Sequence, residues 1–78
     1  MTRTVWIENE PCPSLEELQE MVGGPIELIK LDADTDLIVD EEGLMKSNRS
    51  VNDTASMLAS REIVGNAVLL IGDESRLK

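Results

Sequence analysis

Carboxylates are the chemistry-bearing groups this sequence holds in quantity, and two short runs concentrate them. Asp32-Ala33-Asp34-Thr35-Asp36 has the D-x-D-x-D spacing that opens an EF-hand calcium loop. Such a loop also needs glycine at its sixth position for the sharp turn and a bidentate glutamate at its twelfth. Leu37 and Gly43 stand there instead. The run is therefore expected to be a solvated hairpin tip, with weak divalent binding by alternate carboxylates as the sharper alternative. Asp40-Glu41-Glu42 is the second run, a candidate for acid–base work or for contact with a partner. No histidine or tyrosine is available to assist it. The Ser–His and Cys–His nucleophile schemes fail for want of histidine. A structural zinc site needs four Cys or His ligands, and the chain holds one cysteine and no histidine. Neither a cofactor nor a metal is expected.

Four further features carry weaker signals. Cys12, the only cysteine, lies between Pro11 and Pro13 just ahead of a helix start. A helix dipole lowers a thiol pKa, but Glu10, Glu16 and Glu17 act in the other direction, so an inert thiol is expected. Lys46, Asn48 and Arg49 form a basic and amide-rich patch in an acidic chain. With Asn52 they are the candidate grip for an anionic small ligand, a nucleotide among them, against the blander reading of a polar loop. Trp6 is the sole aromatic residue. A base-stacking platform usually brings several aromatics, so Trp6 is expected to pack as core or lid. Gly23-Gly24 precedes a strand and lacks the spacing of the phosphate-binding glycine motifs.

The elements that position these groups can be read from local signals. Ser14 and Glu17 form a capping box, and Leu15, Leu18, Met21 and Val22 make an apolar stripe at helical spacing. Gly23-Gly24 stops that helix and Pro25 prevents its continuation. Thr4–Glu8 reads as a first strand, and residues 26–31 and 37–39 as two arms of a hairpin across the acidic tip. Asp40-Glu41-Glu42-Gly43 is a turn with Gly43 as its positive-φ residue. Leu44-Met45-Lys46 is a candidate short strand. Residues 52–60 read as a second helix capped by Ser50 or Asn52, with Ala55, Leu58 and Ala59 on its packing face. Residues 66–71 are the most apolar run and read as a central strand buried on both sides. Residues 73–78 are expected to fray.

The segment LEELQEMVGGPIELI resembles the opening motif of domain-of-unknown-function family 3846, found in phages and bacterial mobile elements. The matching residues are Leu15, Gln19, Val22, Gly23, Gly24, Ile26 and Glu27. They continue through Glu41, Glu42 and Gly43, then Asn52, Ala55 and Ser56, and end with Ile63, Val64 and Gly65. Pro25 and Asp40 depart from the pattern, standing where the family places an aromatic residue and an asparagine. The resemblance implies a small intracellular α+β domain and brings no established activity.

The chain of 78 residues is expected to be one domain, with a small core of Leu, Ile, Val, Met and Ala and with scope for homodimerisation. The expected fold is α+β: a single-layer, mostly antiparallel sheet of four to five strands with two helices, in the order β-α-β-β-(β)-α-β. That order is compatible with a ferredoxin-like sandwich. Sixteen acids against seven bases give a formal charge of −9. Such a surface repels phosphate, which argues against direct binding to nucleic acid or to an anionic membrane. One cysteine, no membrane-length apolar run and no secretory leader point to the cytoplasm. The leading expectation is a non-enzymatic acidic module that binds a host protein, with Trp6, Asp40, Glu41 and Glu42 as contact residues. The alternative is a small-molecule binder using the 46–52 loop.

Overall fold

In the computed structural model, which describes residues 2–45 and 50–72, the first helix starts as its capping box requires. The Ser14 hydroxyl accepts from the Glu17 amide at 3.2 Å, and the Glu17 carboxylate accepts from the Ser14 amide at 3.1 Å. Helix α1 runs Leu15–Val22 and stops at Gly23, whose φ of 90° is left-handed. The Gly23 and Gly24 amides both donate to the Gln19 carbonyl, at 2.8 and 3.1 Å, closing the helix end. Leu18 and Val22 are buried and Met21 half-buried, but Leu15 stays exposed. The buried stripe is thus narrower than the spacing alone suggests.

Four strands form one mixed sheet in the order β1-β4-β3-β2: β1 (Thr4–Glu8), β2 (Ile26–Asp32), β3 (Thr35–Asp40) and β4 (Ala67–Ile71). Strand β1 runs parallel to β4, while β3 is antiparallel to both β4 and β2. This is the small α+β fold expected from the sequence, with the apolar run at β4 taking an interior position. Ala67, Val68, Leu69 and Leu70 are all buried, because a strand with a sheet neighbour on each side and a helix over each face has no solvated side.

Period-2 alternation sorts the core into two layers. Ile38, Val68 and Leu70 pack with Leu18 and Val22 of α1. Leu37, Val39, Ala67 and Leu69 pack with Ala55 and Ile63 on the other face, joined by Ala59. Helix α2 (Asp53–Ala59) supplies Ala55 and Ala59, so the helices cover opposite faces. A ferredoxin-like sandwich puts both helices on one face, so the arrangement differs from it. Here the last strand lies beside β3 and antiparallel to it, so the β3-α2-β4 link is not a parallel crossover and the handedness rule for such crossovers does not hold α2 to the face of α1.

Local details also differ. The hairpin turns on Ala33-Asp34 alone, and its arms reach Asp32 and Thr35. Gly43–Met45 is a single turn of 3-10 helix rather than part of a strand. Gly43 does not have a positive φ; among the described residues the glycines that do are Gly23, Gly65 and Gly72. The constraint at Gly43 is space, since a Cβ there would lie 3.0 Å from the Val64 carbonyl oxygen. The tail at 73–78 lies outside the described residues.

Candidate functional site

At the end of the sheet where β2 begins and β3 finishes, the segment after α2 folds back to enclose a cleft of about 250 Å³. Val39, Ile63 and Val64 give it an apolar floor, and Glu27, Asp40, Glu41, Glu62 and Arg61 line the remainder. Each wall is held by a specific bond. The Glu41 amide donates to the Pro25 carbonyl at 2.8 Å, tying the end of β3 to the start of β2. The Asp40 carboxylate accepts from the Glu42 amide at 2.9 Å and fixes the turn that follows. Gly24 lets that carboxylate approach, because a Cβ there would stand 3.1 Å from Asp40 Oδ1. On the far wall the Ile63 amide donates to Ser56 Oγ at 2.8 Å, and the Asn52 amide to the Ile63 carbonyl at 2.8 Å. Arg61 reaches over the rim to Glu27 at 3.0 Å in an ion pair whose side chains are about half exposed.

Chemically, the cleft presents carboxylate acceptors above an apolar floor, with one guanidinium already engaged at the rim. That combination suits a cationic or multiply donating group with an aliphatic stem. Sequence reasoning missed Glu27, Arg61 and Glu62 as members of one site. They stand 34 residues apart at the Arg61–Glu27 bond, and no local motif announces such a meeting.

A family model described as Domain of unknown function (DUF3846) matches residues 1–77. The chain belongs to the DUF3846 family. No curated protein and no solved structure matches it.

Several residues behind the resemblance to DUF3846 have structural roles in this fold. Gly23 ends α1, Gly24 admits Asp40, and Gly43 admits the Val64 backbone. At Asp40, where the family pattern places asparagine, an amide oxygen could accept the Glu42 N–H equally well.

Asn52 changes character most. It is buried, and its Oδ1 accepts from the Ala55 amide at 3.1 Å and from Thr4 Oγ1 at 3.2 Å. Its Nδ2 donates to Gly65 O at 2.9 Å and Thr4 Oγ1 at 3.0 Å, with a longer contact of 3.4 Å to Arg3 O. The amide joins β1, α2 and the turn before β4, so it is not a group left over for a ligand. Its proposed companions Lys46, Asn48 and Arg49 lie outside the described residues.

The contact residues expected from the sequence are not gathered in one place. Asp40 is buried at the cleft, and Glu41 and Glu42 are exposed beside it. Trp6 sits on β1, with β4 between it and β3. Instead of packing as core or lid, Trp6 is 59% exposed, because α2 packs toward β2, the opposite edge.

The acidic hairpin run is divided as well. Asp32 and Asp34 are exposed at the turn, where Asp32 Oδ1 accepts from the Ala33 amide at 2.7 Å. Asp36 is buried inside β3. Among the described residues, no group of three or more His, Cys, Asp or Glu is arranged to hold a metal. Burial raises the Cys12 thiol pKa above its ordinary value, and the Asp36 charge adds to the rise. That agrees in direction with the sequence expectation but assigns it to different neighbours. The Cys12 thiol donates to the Pro13 carbonyl at 3.3 Å. No helix among the described residues is long and apolar enough to cross a membrane.

Proposed function

We propose that this DUF3846 chain is a non-enzymatic interaction module of phage or mobile-element type. It would act in the cytoplasm by binding a host protein through a basic surface of that protein. The observation that carries this reading is the acid-rimmed cleft. Glu27, Asp40, Glu41 and Glu62 surround an apolar floor wide enough for a lysine or arginine side chain. The formal charge of −9 steers basic surfaces toward it and phosphate polymers away. Without histidine, and with its one thiol pKa raised, the chain holds neither an imidazole nor a readily ionised thiol for nucleophilic catalysis near neutral pH.

The test is capture of host proteins on the immobilised chain, set beside the triple variant Glu27→Gln, Glu41→Gln, Glu62→Gln. A stoichiometric partner that is lost with the variant and weakened by salt is expected. Recovery of no partner, or equal capture by the variant, refutes the reading.

A further inference from the structure

The open edge of β1 is a separate surface, on the other side of the sheet from the cleft-lining strands. Strand β1 ends the sheet, and among the described residues only β4 pairs with it. The Arg3 carbonyl accepts from the Ala67 amide at 3.0 Å, and the Asn9 amide donates to the Ile71 carbonyl at 2.9 Å. Main-chain groups alternate in direction along a strand, so Arg3, Val5, Ile7 and Asn9 face β4. Thr4, Trp6 and Glu8 therefore turn their N–H and C=O groups outward, away from the sheet.

The two edges are not alike. Strand β2, at the opposite edge, carries a bulge between Lys30 and Asp32, and both the bulge and Lys30 are devices that discourage strand addition. Within Thr4–Glu8 the β1 ladder is regular, and the centre of that strand displays a largely exposed tryptophan. Glu8 lies exposed at the end of β1, and exposed Arg3 stands just before its start. A second copy of the chain would bring another charge of −9 to this edge. An extended cationic segment meets complementary charge at Glu8 and in the overall charge of −9, and it meets an exposed indole, a group suited to lysine or arginine.

We infer that β1 accepts an extended lysine- or arginine-bearing segment of a protein as an added strand, hydrogen-bonded to Thr4, Trp6 and Glu8 and covering Trp6. This deepens the function proposed above and rests on its assignment of a basic protein as partner. Strand addition supplies main-chain hydrogen bonds for affinity, while alternate side chains supply selectivity.

The probe is a short peptide of alternating lysine and valine, titrated against the full chain. Trp6 emission is a site-specific signal because no other tryptophan is present. Binding with a shift in that emission is expected, and a peptide of alternating glutamate and valine should give none. The lysine peptide N-methylated along its pairing edge should bind at least about tenfold more weakly, as expected for the loss of one or more hydrogen bonds. The Glu8→Pro variant removes an outward N–H without touching the bonds to β4, and should weaken binding more than Glu8→Gln, which removes only charge. Equal binding of the methylated peptide, or an unmoved Trp6 emission at saturation, overturns the proposal. So does a native mass spectrum showing a dimer that the Glu8→Pro variant loses. Loss of peptide binding in the Glu27, Glu41, Glu62 triple variant would assign the peptide to the cleft, sinking strand addition while leaving the broader function standing.

Discussion

Replacing Asn52 by aspartate separates two explanations of that residue. As a helix N-cap, aspartate ranks with asparagine, and a residue that only capped α2 would tolerate the exchange. The Ala55 amide would keep its acceptor. The structure assigns the other half of the side chain an equal task. Nδ2 donates to Gly65 O at 2.9 Å and Thr4 Oγ1 at 3.0 Å, with Arg3 O at 3.4 Å. In the variant a carboxylate oxygen would face two carbonyl oxygens at a site where Asn52 is only 3% exposed. Thr4 could rotate its hydroxyl to donate, but the Gly65 carbonyl would lose its partner. Leaving a buried acceptor unpaired costs about 1–3 kcal/mol, and the partly buried charge adds to this. The expected loss is therefore about 2–3 kcal/mol. For a chain of this size that corresponds to roughly 10–20 °C in Tm.

The assay is thermal and urea unfolding followed by far-UV circular dichroism, since exposed Trp6 is a weak reporter of packing. The new carboxyl should have its pKa raised in the folded state, where its charge is disfavoured. The folded protein then holds that proton more tightly, so the deficit against the parent chain is greatest at neutral pH. It should shrink as pH falls through the raised value toward the ordinary aspartate pKa. Asn52→Ala, which loses both the cap and the ties to β1, should also destabilise. An Asn52→Asp variant within about 0.5 kcal/mol of the parent, smaller than the usual cost of losing a cap, would show that Asn52 caps and does nothing more.

Other expectations follow from single contacts. Cys12 should react slowly with iodoacetamide near neutral pH, and Asp36→Asn should speed the reaction by removing the second cause of its raised pKa. Because that pKa is raised on folding, the thiol's contribution to stability is complete below the unfolded thiol pKa and is lost as pH rises toward the folded value; alkaline urea titrations would read it. Gly72→Ala should cost about 1–3 kcal/mol in urea unfolding, since φ is +93° and the new Cβ would collide with the Asn9 side-chain oxygen. Arg61→Gln should change stability by less than about 1 kcal/mol, as its ion pair with Glu27 is half exposed. The same change should tighten capture of a basic partner at low salt, because it removes the cleft's guanidinium.

The sequence by itself determined what can be decided within a few residues along the chain. The capping box at Ser14 and Glu17 and the left-handed stop at Gly23 use hydrogen bonds between near neighbours, so both were legible before any tertiary contact was known. The run at residues 66–71 announced an interior strand because no polar side chain interrupts it from Ala67 to Ile71. Residue types alone removed histidine-dependent catalysis.

What the tertiary structure decided depends on groups brought together from distant segments. Insertion of β4 between β1 and β3 left β1 at an edge with Trp6 uncovered, and the helices packed on opposite faces of the sheet. The return of residues 61–64 beside β2 and β3 created the cleft and joined Glu27 to Arg61. Asn52 became a three-way tie only because β1 and the turn at Gly65 meet at the start of α2. Periodicity identifies which side of an element is apolar, but not which partner will cover it. That choice is made by the packing of the whole chain.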